Sequence, residues 1–161
     1  MPSDRETRKQ LVALLRGGQA YMTFDHAVAD FPMDRINSRP PNVPYSFWHL
    51  LEHLRIAQRD ILDYIHGEDY RELEWPAGYW PAPDATTDAA GWEGTIAQFK
   101  ADRDALIAIV EDPATDLTAP LPHAPQHNIL REILVVADHN AYHTGELAIL
   151  RGVMQLWPAG H

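Results

Sequence analysis

The sequence predicts an all-α protein, a four-helix bundle with a long irregular loop between its second and third helices. Three observations support this prediction. Apolar residues recur at helical spacing in four segments of about 20 to 26 residues. Proline-rich connectors separate the segments, and none shows the alternation typical of a β-strand. We expect one domain over residues 1–161, because a chain of this length can bury a sizeable core.

The first predicted helix runs from residue 4 to about residue 29, with leucines and aromatic residues at helical spacing. Gly17 and Gly18 weaken its middle, which indicates a kink or a close contact with another helix. Residues 30–45 follow and contain several prolines. Proline disfavours helix at its own position and at the one before it, so we expect a connector here.

Three further helices follow from capping residues and apolar spacing. Ser46 is a suitable N-cap for a second helix over residues 47–66. A third helix is predicted over residues 89–111, where large apolar side chains recur at helical spacing. Asn128 can cap the fourth helix, which is expected to run to about Gly152.

The two long loops differ in character. Residues 67–88 form the longest irregular segment, and Trp75, Tyr79 and Trp80 stand there among prolines and glycines. Long loops in compact domains are usually functional, interface-forming or mobile. A cover over the bundle end, a pocket lid and a dimer contact are the three interpretations. The second loop, residues 112–127, is rich in proline.

Composition excludes several classes of function. The net charge is −10 and no cluster of Lys or Arg stands out, which argues against binding of nucleic acid or anionic membranes. The absence of cysteine excludes disulfides, thiolate nucleophiles and Cys-ligated zinc. The N-terminus is polar and no apolar run approaches the length of a membrane span. We therefore expect a cytoplasmic protein without a signal peptide.

Two histidines occur where the fourth helix is predicted to be buried. His139 and His143 are four residues apart and share a helix face with the carboxylates Glu132 and Glu146. The apolar residues on this face are Val135, Val136, Tyr142, Leu147, Leu150, Val153 and Met154. The opposite face carries Ala137, Ala141 and Thr144. Buried imidazoles need partners, and a metal ion satisfies two of them at this spacing.

His53 lies at the edge of the apolar stripe of the second helix. With His139 and His143 it would form a three-histidine site that leaves a position for water or substrate. Neutral imidazole suits Zn, Ni, Fe or Cu. Asp60, Glu132 and Glu146 are candidates to orient the imidazoles through the other ring nitrogen. Histidines that hydrogen-bond within the core, without a metal, are the alternative.

The remaining histidines are interpreted as supporting or surface residues. His49 lies further toward solvent than the apolar stripe of the second helix, and His26 is near the end of the first helix. His123 and His127 fall in the second loop. The paired Glu-x-x-His motifs of a ferritin-like di-iron site and the HExxH motif of a metalloprotease are both absent.

Two stretches resemble the DinB-like superfamily of bacterial proteins. They are WHLLEHLRIAQRDIL at residues 48–62 and DHNAYHTGELAILR at residues 138–151. The resemblance covers the whole chain in helix order. Its most specific part is the fourth-helix motif, in which Tyr142, Gly145 and Arg151 surround the histidine pair.

The resemblance implies a four-helix bundle in up-down-down-up order. It also implies a divalent metal, nickel or zinc, bound by His53, His139 and His143. Homodimers are common in this superfamily, and some members transfer low-molecular-weight thiols. The DNA-damage name of the superfamily does not imply DNA binding.

Three functional hypotheses follow. The first is a divalent-metal-dependent enzyme similar to a thiol S-transferase, acting on a small molecule or thiol. The second is a non-catalytic bundle that a metal stabilises, in which binding energy becomes folding energy. The third is a metal-free, ligand-binding or stress-related dimer. No catalytic residue beyond the metal ligands is predicted.

Overall fold

Four long helices and one short helix account for most of the structure, a computed structural model that describes residues 2–67 and 69–160. The helices are α1 (Pro2–Arg16), α2 (Phe24–Val28), α3 (Phe47–His66), α4 (Ala89–Glu111) and α5 (Ile129–Val153). Short 3₁₀ turns at Met33–Arg35 and Ala77–Tyr79 lie in the connectors. The predicted all-α class is confirmed. Within the described ranges, no helix combines the length and apolarity needed to cross a membrane.

The prediction of one helix over residues 4–29 is wrong. α1 ends at Arg16, and α2 is a separate helix of one and a half turns. Gly17 and Gly18 adopt φ angles of +76° and +79°, in the left-handed region that glycine tolerates best. Two such residues in succession end a helix rather than kink it. Thr23 then starts α2, because its hydroxyl accepts a hydrogen bond from a backbone N–H in the first turn.

The other three helices begin at the predicted positions, and a polar side chain caps each of them. The Ser46 hydroxyl accepts a bond from the backbone N–H of His49 at the start of α3. Asp88 caps α4 in the same way, and Asn128 caps α5. Gly67 ends α3 with a φ of +70°, which is the usual role of glycine after a helix.

A short β-hairpin in the second loop was not predicted. β1 (Pro120–Leu121) pairs antiparallel with β2 (Ala124–Asn128), and β2 leads directly into α5. Strands this short carry too few residues to show an alternating pattern, so the prediction of an irregular segment over residues 112–127 is wrong for this part.

The core consists of two clusters of buried apolar side chains. The first contains side chains of α2, α3, α4 and α5, and it includes Phe24, Phe47, Trp92 and Leu147. The second joins the four long helices and includes Leu11, Leu62, Leu106 and Ile133. α3 packs against both α4 and α5, and α1 packs against the same two helices. The direct contact between α3 and α5 brings their histidines together.

The face that α5 buries overlaps only in part with the predicted one, and Val136 and Leu147 are buried as expected. Its buried residues are Glu132, Ile133, Val136, Ala137, Asn140, Thr144, Leu147 and Arg151. Val135, Tyr142 and Val153 were expected in the core, but they are 39%, 71% and 58% exposed. Ala137 and Thr144, assigned to the opposite face, are buried. Apolar residues are spread around α5, so their pattern does not define one face, and polar side chains occupy part of its buried surface.

Candidate metal centre

Three histidines from two helices meet at one point. His53 projects from the middle of α3, and His139 and His143 project from successive turns of α5. His53 Nε2 lies 3.0 Å from His139 Nε2 and 3.3 Å from His143 Nε2. His53 is buried, while the other two side chains lie at the flank of α5 and are partly buried. Each ring therefore presents a nitrogen to the same small volume.

The other ring nitrogen of two of these histidines faces an acceptor. His53 Nδ1 lies 2.8 Å from the carbonyl oxygen of Tyr79, and His143 Nδ1 lies 2.7 Å from Glu146 Oε2. A carbonyl oxygen can only accept, so the neutral His53 ring carries its proton on Nδ1. An ionised carboxylate imposes the same tautomer on His143. Both rings then have a lone pair on Nε2.

These two lone pairs point toward each other. Neutral imidazoles in these tautomers have no hydrogen between the Nε2 atoms, so they cannot satisfy one another. A cation placed between the two Nε2 atoms would bind both lone pairs. At metal–nitrogen bonds of about 2.0–2.1 Å and tetrahedral angles, two ligand nitrogens stand about 3.3 Å apart. The three residues thus fit a divalent metal ion, and the ligand atoms of all three lie within 4.8 Å of one another.

Burial favours the uncharged form of two of the site histidines, His53 and His139. Burial lowers the pKa of His53, and it lowers the pKa of His139 to about 4, with a further contribution from the neighbouring His143. The neutral ring is the form that binds a metal, because a protonated imidazole has no lone pair to donate.

Glu146 supports His143 and is itself held by Tyr45. The Tyr45 hydroxyl donates to Glu146 Oε1, and His143 donates to Oε2. Burial alone would raise the pKa of Glu146, but the hydrogen bonds from His143 and Tyr45 outweigh it and lower the pKa. The carboxylate therefore stays ionised and strengthens His143 as a ligand. Nothing in the sequence indicated Tyr45, because it lies in the proline-rich connector.

The loop over residues 67–88 covers this centre. The Trp80 ring stacks on His53, with ring centroids 3.9 Å apart and an angle of 3° between the planes. The Tyr45 ring in turn stacks on the Trp80 ring, with ring centroids 4.9 Å apart. Together with the Tyr79 carbonyl, this stack fixes the orientation of the His53 ring.

Two of the three carboxylates predicted to orient the imidazoles do not contact them. Glu132 is buried but pairs with Arg131 at 2.6 Å, so its assignment to the site is wrong. Asp60 accepts hydrogen bonds from the hydroxyls of Tyr70 and Tyr79 and contacts none of the three imidazoles. Of the three predicted carboxylates, only Glu146 contacts one of the imidazoles, that of His143. Glu132 shares the helix face of the histidines but lies seven residues before His139, about 10 Å along the axis of α5, which is too far for contact.

The other histidines among residues 2–67 and 69–160 lie outside the cluster. His49 is buried and bonds to Ser46 and to the carbonyl oxygen of Ala82, so it ties the covering loop to α3. His127 contacts the hydroxyl of Tyr64 at 2.7 Å in the hairpin region. These contacts agree with supporting roles.

A family model of the DinB superfamily matches residues 6–147. The chain belongs to the DinB superfamily. The matched range includes His53, His139 and His143, and it confirms the resemblance carried by the second and fourth helix motifs. No curated protein matches the sequence.

In this DinB-superfamily protein, Glu146→Gln is expected to weaken zinc binding by about 10- to 100-fold. The amide would remove the negative charge that holds the proton on His143 Nδ1. Competition with a chromophoric chelator measures the affinity. Glu132→Gln is the matched control on the same helix and should leave zinc affinity unchanged. Equal losses in both variants would contradict the role assigned to Glu146.

Proposed function

We propose that this protein is a divalent-metal-dependent enzyme in which His53, His139 and His143 bind nickel or zinc. The observation that carries the proposal is the pair of Nε2 lone pairs that face each other across 3.3 Å. Four structural features of the same region support it: converging ligand atoms, neutral rings, a supporting carboxylate and a covering aromatic loop.

A catalytic role is favoured by the cavity beside the histidines. It has a volume of about 320 Å³, and all three imidazoles line it. The other lining residues are Ala57, Asp60, Ile61, Trp75, Tyr79 and Val135. Three protein ligands are typical of catalytic rather than structural zinc sites, because one position remains for substrate. A substrate in this cavity would have direct access to that position.

The proposed reaction is transfer of a thiol sulfur to a small electrophile. A bound divalent metal supplies Lewis acidity, which favours loss of the proton from a substrate thiol. Around it, Glu146 keeps the proton of His143 on Nδ1, and Trp80 excludes water from one face of His53. These residues position the ligands without taking part in bond changes themselves.

A non-catalytic metal site is the second candidate. The ligands come from both α3 and α5, so a bound ion would tie two helices of the core together. In that case the free energy of metal binding would add to the free energy of unfolding of the protein. Chelation would then lower Tm strongly, and no turnover would be found.

The proposal includes a cytoplasmic homodimer whose four long helices run up-down-down-up. Support for a self-contact comes from one exposed apolar stripe of α5. Its residues are Val135, Tyr142, Ile149 and Val153, each 39% exposed or more. An exposed apolar stripe of this length is typical of a contact surface.

The proposed activity is tested with zinc- and nickel-loaded protein, cysteamine or 2-mercaptoethanol, and 1-chloro-2,4-dinitrobenzene. A C–S bond forms while chloride and the thiol proton leave, and the near-ultraviolet absorbance of the thioether product measures the rate. We expect metal-dependent turnover that is lost in His143→Ala, with rates at least about 100-fold above the metal-free chain. Absence of turnover, together with a large loss of Tm on chelation, would favour the non-catalytic role.

A further inference from the structure

Asp60 differs from three other buried or partly buried carboxylates, which pair with arginine side chains. Glu52 pairs with Arg55, Glu132 with Arg131, and Asp102 with Arg59. Within the described ranges, no basic side chain lies at ion-pairing distance from Asp60. Its partners are the two tyrosine hydroxyls of Tyr70 and Tyr79, at 3.1 and 2.9 Å. A half-buried carboxylate without a cation is a costly arrangement unless another group supplies the charge.

The position of Asp60 relates it to the histidines. It lies two helical turns beyond His53 on the same side of α3, about 10 Å along the helix axis. Asp60 and the three histidines line the same cavity. A molecule that contacts the histidines at one end and fills the cavity would therefore approach Asp60 with its other end.

The tyrosines hold the Asp60 carboxylate in place and leave part of it free. Each carboxylate oxygen has two lone pairs, and Tyr70 and Tyr79 occupy one on each oxygen. Burial raises the pKa of Asp60, which means that the ionised form gains from a positive charge placed nearby. The carboxylate is thus oriented and can still accept hydrogen bonds.

The rest of the cavity wall suits a cation on an apolar body. Ala57, Ile61 and Val135 provide apolar surface, while Trp75 and Tyr79 provide aromatic rings that attract cations through their faces. No Lys or Arg is among the described lining residues. A second cavity, which Asp60 also lines, is bordered by Arg55, Arg59 and Arg71. There Arg55 pairs with Glu52 and Arg59 pairs with Asp63.

We infer that Asp60 determines substrate specificity and that the cavity takes a thiol with a cationic amine at the end remote from the three histidines. This inference rests on the proposed metal-dependent function. It names the substrate class as an aminothiol with an apolar or aromatic body, in preference to a carboxylate-bearing thiol. Tyr70 and Tyr79 are positioning residues for the Asp60 carboxylate.

The test compares two aromatic thiols of similar length and opposite charge with zinc-loaded protein. The probes are 2-(4-sulfanylphenyl)ethanamine and 3-(4-sulfanylphenyl)propanoate, and calorimetric titration measures their Kd values. We expect the amine to bind on the order of ten-fold more tightly to the wild type. In Asp60→Asn the preference should fall to about two-fold or less.

Asp63→Asn is the matched control, because Asp63 lies one turn away on α3 and pairs with Arg59. The Asp63→Asn variant should prefer the amine over the acid as strongly as the wild type does. Equal or tighter binding of the acid by wild-type protein would overturn the inference, and this result needs no variant to fold. Metal content and turnover with uncharged 2-mercaptoethanol would stay intact in that case, which separates this failure from failure of the proposed function. Binding of neither probe would overturn the inference too.

Discussion

Loss of stoichiometric metal is the expected result of replacing His139 or His143 with alanine. Each ring contributes one of three converging nitrogens. The two imidazoles that remain in either variant would bind a divalent ion far more weakly. Both side chains lie at the flank of α5 rather than in the apolar clusters, so helix content should change little. Elemental analysis of untagged protein, purified without chelator, should find about one equivalent in the wild type and less than about a tenth in either variant.

Two other histidine variants serve as controls for this experiment. His66→Ala removes an exposed ring at the end of α3, and His49→Ala removes a buried ring that bonds to Ser46 and Ala82. Both should retain the metal, although His49→Ala should lower Tm. One equivalent retained by His139→Ala would contradict the ligand set. Loss of metal from His49→Ala alone would add His49 to that set.

Arg151→Met is expected to lower the free energy of unfolding by about 3–5 kcal/mol. The Arg151 side chain is fully buried, and its guanidinium donates to the carbonyl oxygens of Ala27, Ala29, Asp30 and Leu156. Truncation would leave several buried carbonyls without donors. Urea denaturation followed by circular dichroism measures the change, and Tm should fall by about 10 °C.

The contacts of Arg151 explain why its loss should be so large. The guanidinium lies over the Phe31 ring at 5.0 Å and the Trp157 ring at 4.0 Å. It therefore joins α5 to the segment after α2 and to the C-terminal segment. Burial lowers the pKa of Arg151, so burying this charge has a cost that only the full set of acceptors offsets.

Arg151→Lys separates charge from geometry in this prediction. Lysine keeps the positive charge but cannot reach four carbonyls in a planar arrangement, so we expect a loss smaller than that of the methionine variant. Lys9→Met, at an exposed ion pair of 3.9 Å with Glu6, should change stability by less than about 0.5 kcal/mol. Wild-type stability in Arg151→Met would contradict the structural role.

Local signals were sufficient for much of the fold. Ser46 and Asn128 are polar residues directly before apolar helical patterns, and each caps a helix at the expected position. The limits of the third helix followed from its apolar spacing. The Gly17–Gly18 pair was recognised as a weak point, but whether it kinks or ends a helix depends on backbone angles that packing selects.

The face that α5 buries could not be predicted in the same way. Asn140 bonds to the Gln58 side chain, and Arg151 bonds to carbonyls more than a hundred residues away in sequence. Such partners make polar residues stable inside the core, while Tyr142 and Ile149 remain exposed. Hydrophobicity alone therefore predicted the burial of Val136 and Leu147 correctly and that of Val135, Tyr142 and Val153 wrongly.

The histidine pair and the family were determined by the sequence itself. The spacing of His139 and His143 places them on one side of any α-helix, because the helical repeat is 3.6 residues. Only the tertiary structure decided that His53, 86 residues from His139, meets them with its Nε2 atom. It also decided that the Tyr79 carbonyl holds the other ring nitrogen of His53. These are contacts between distant segments, and they depend on how α3 and α5 rotate against each other when the core packs.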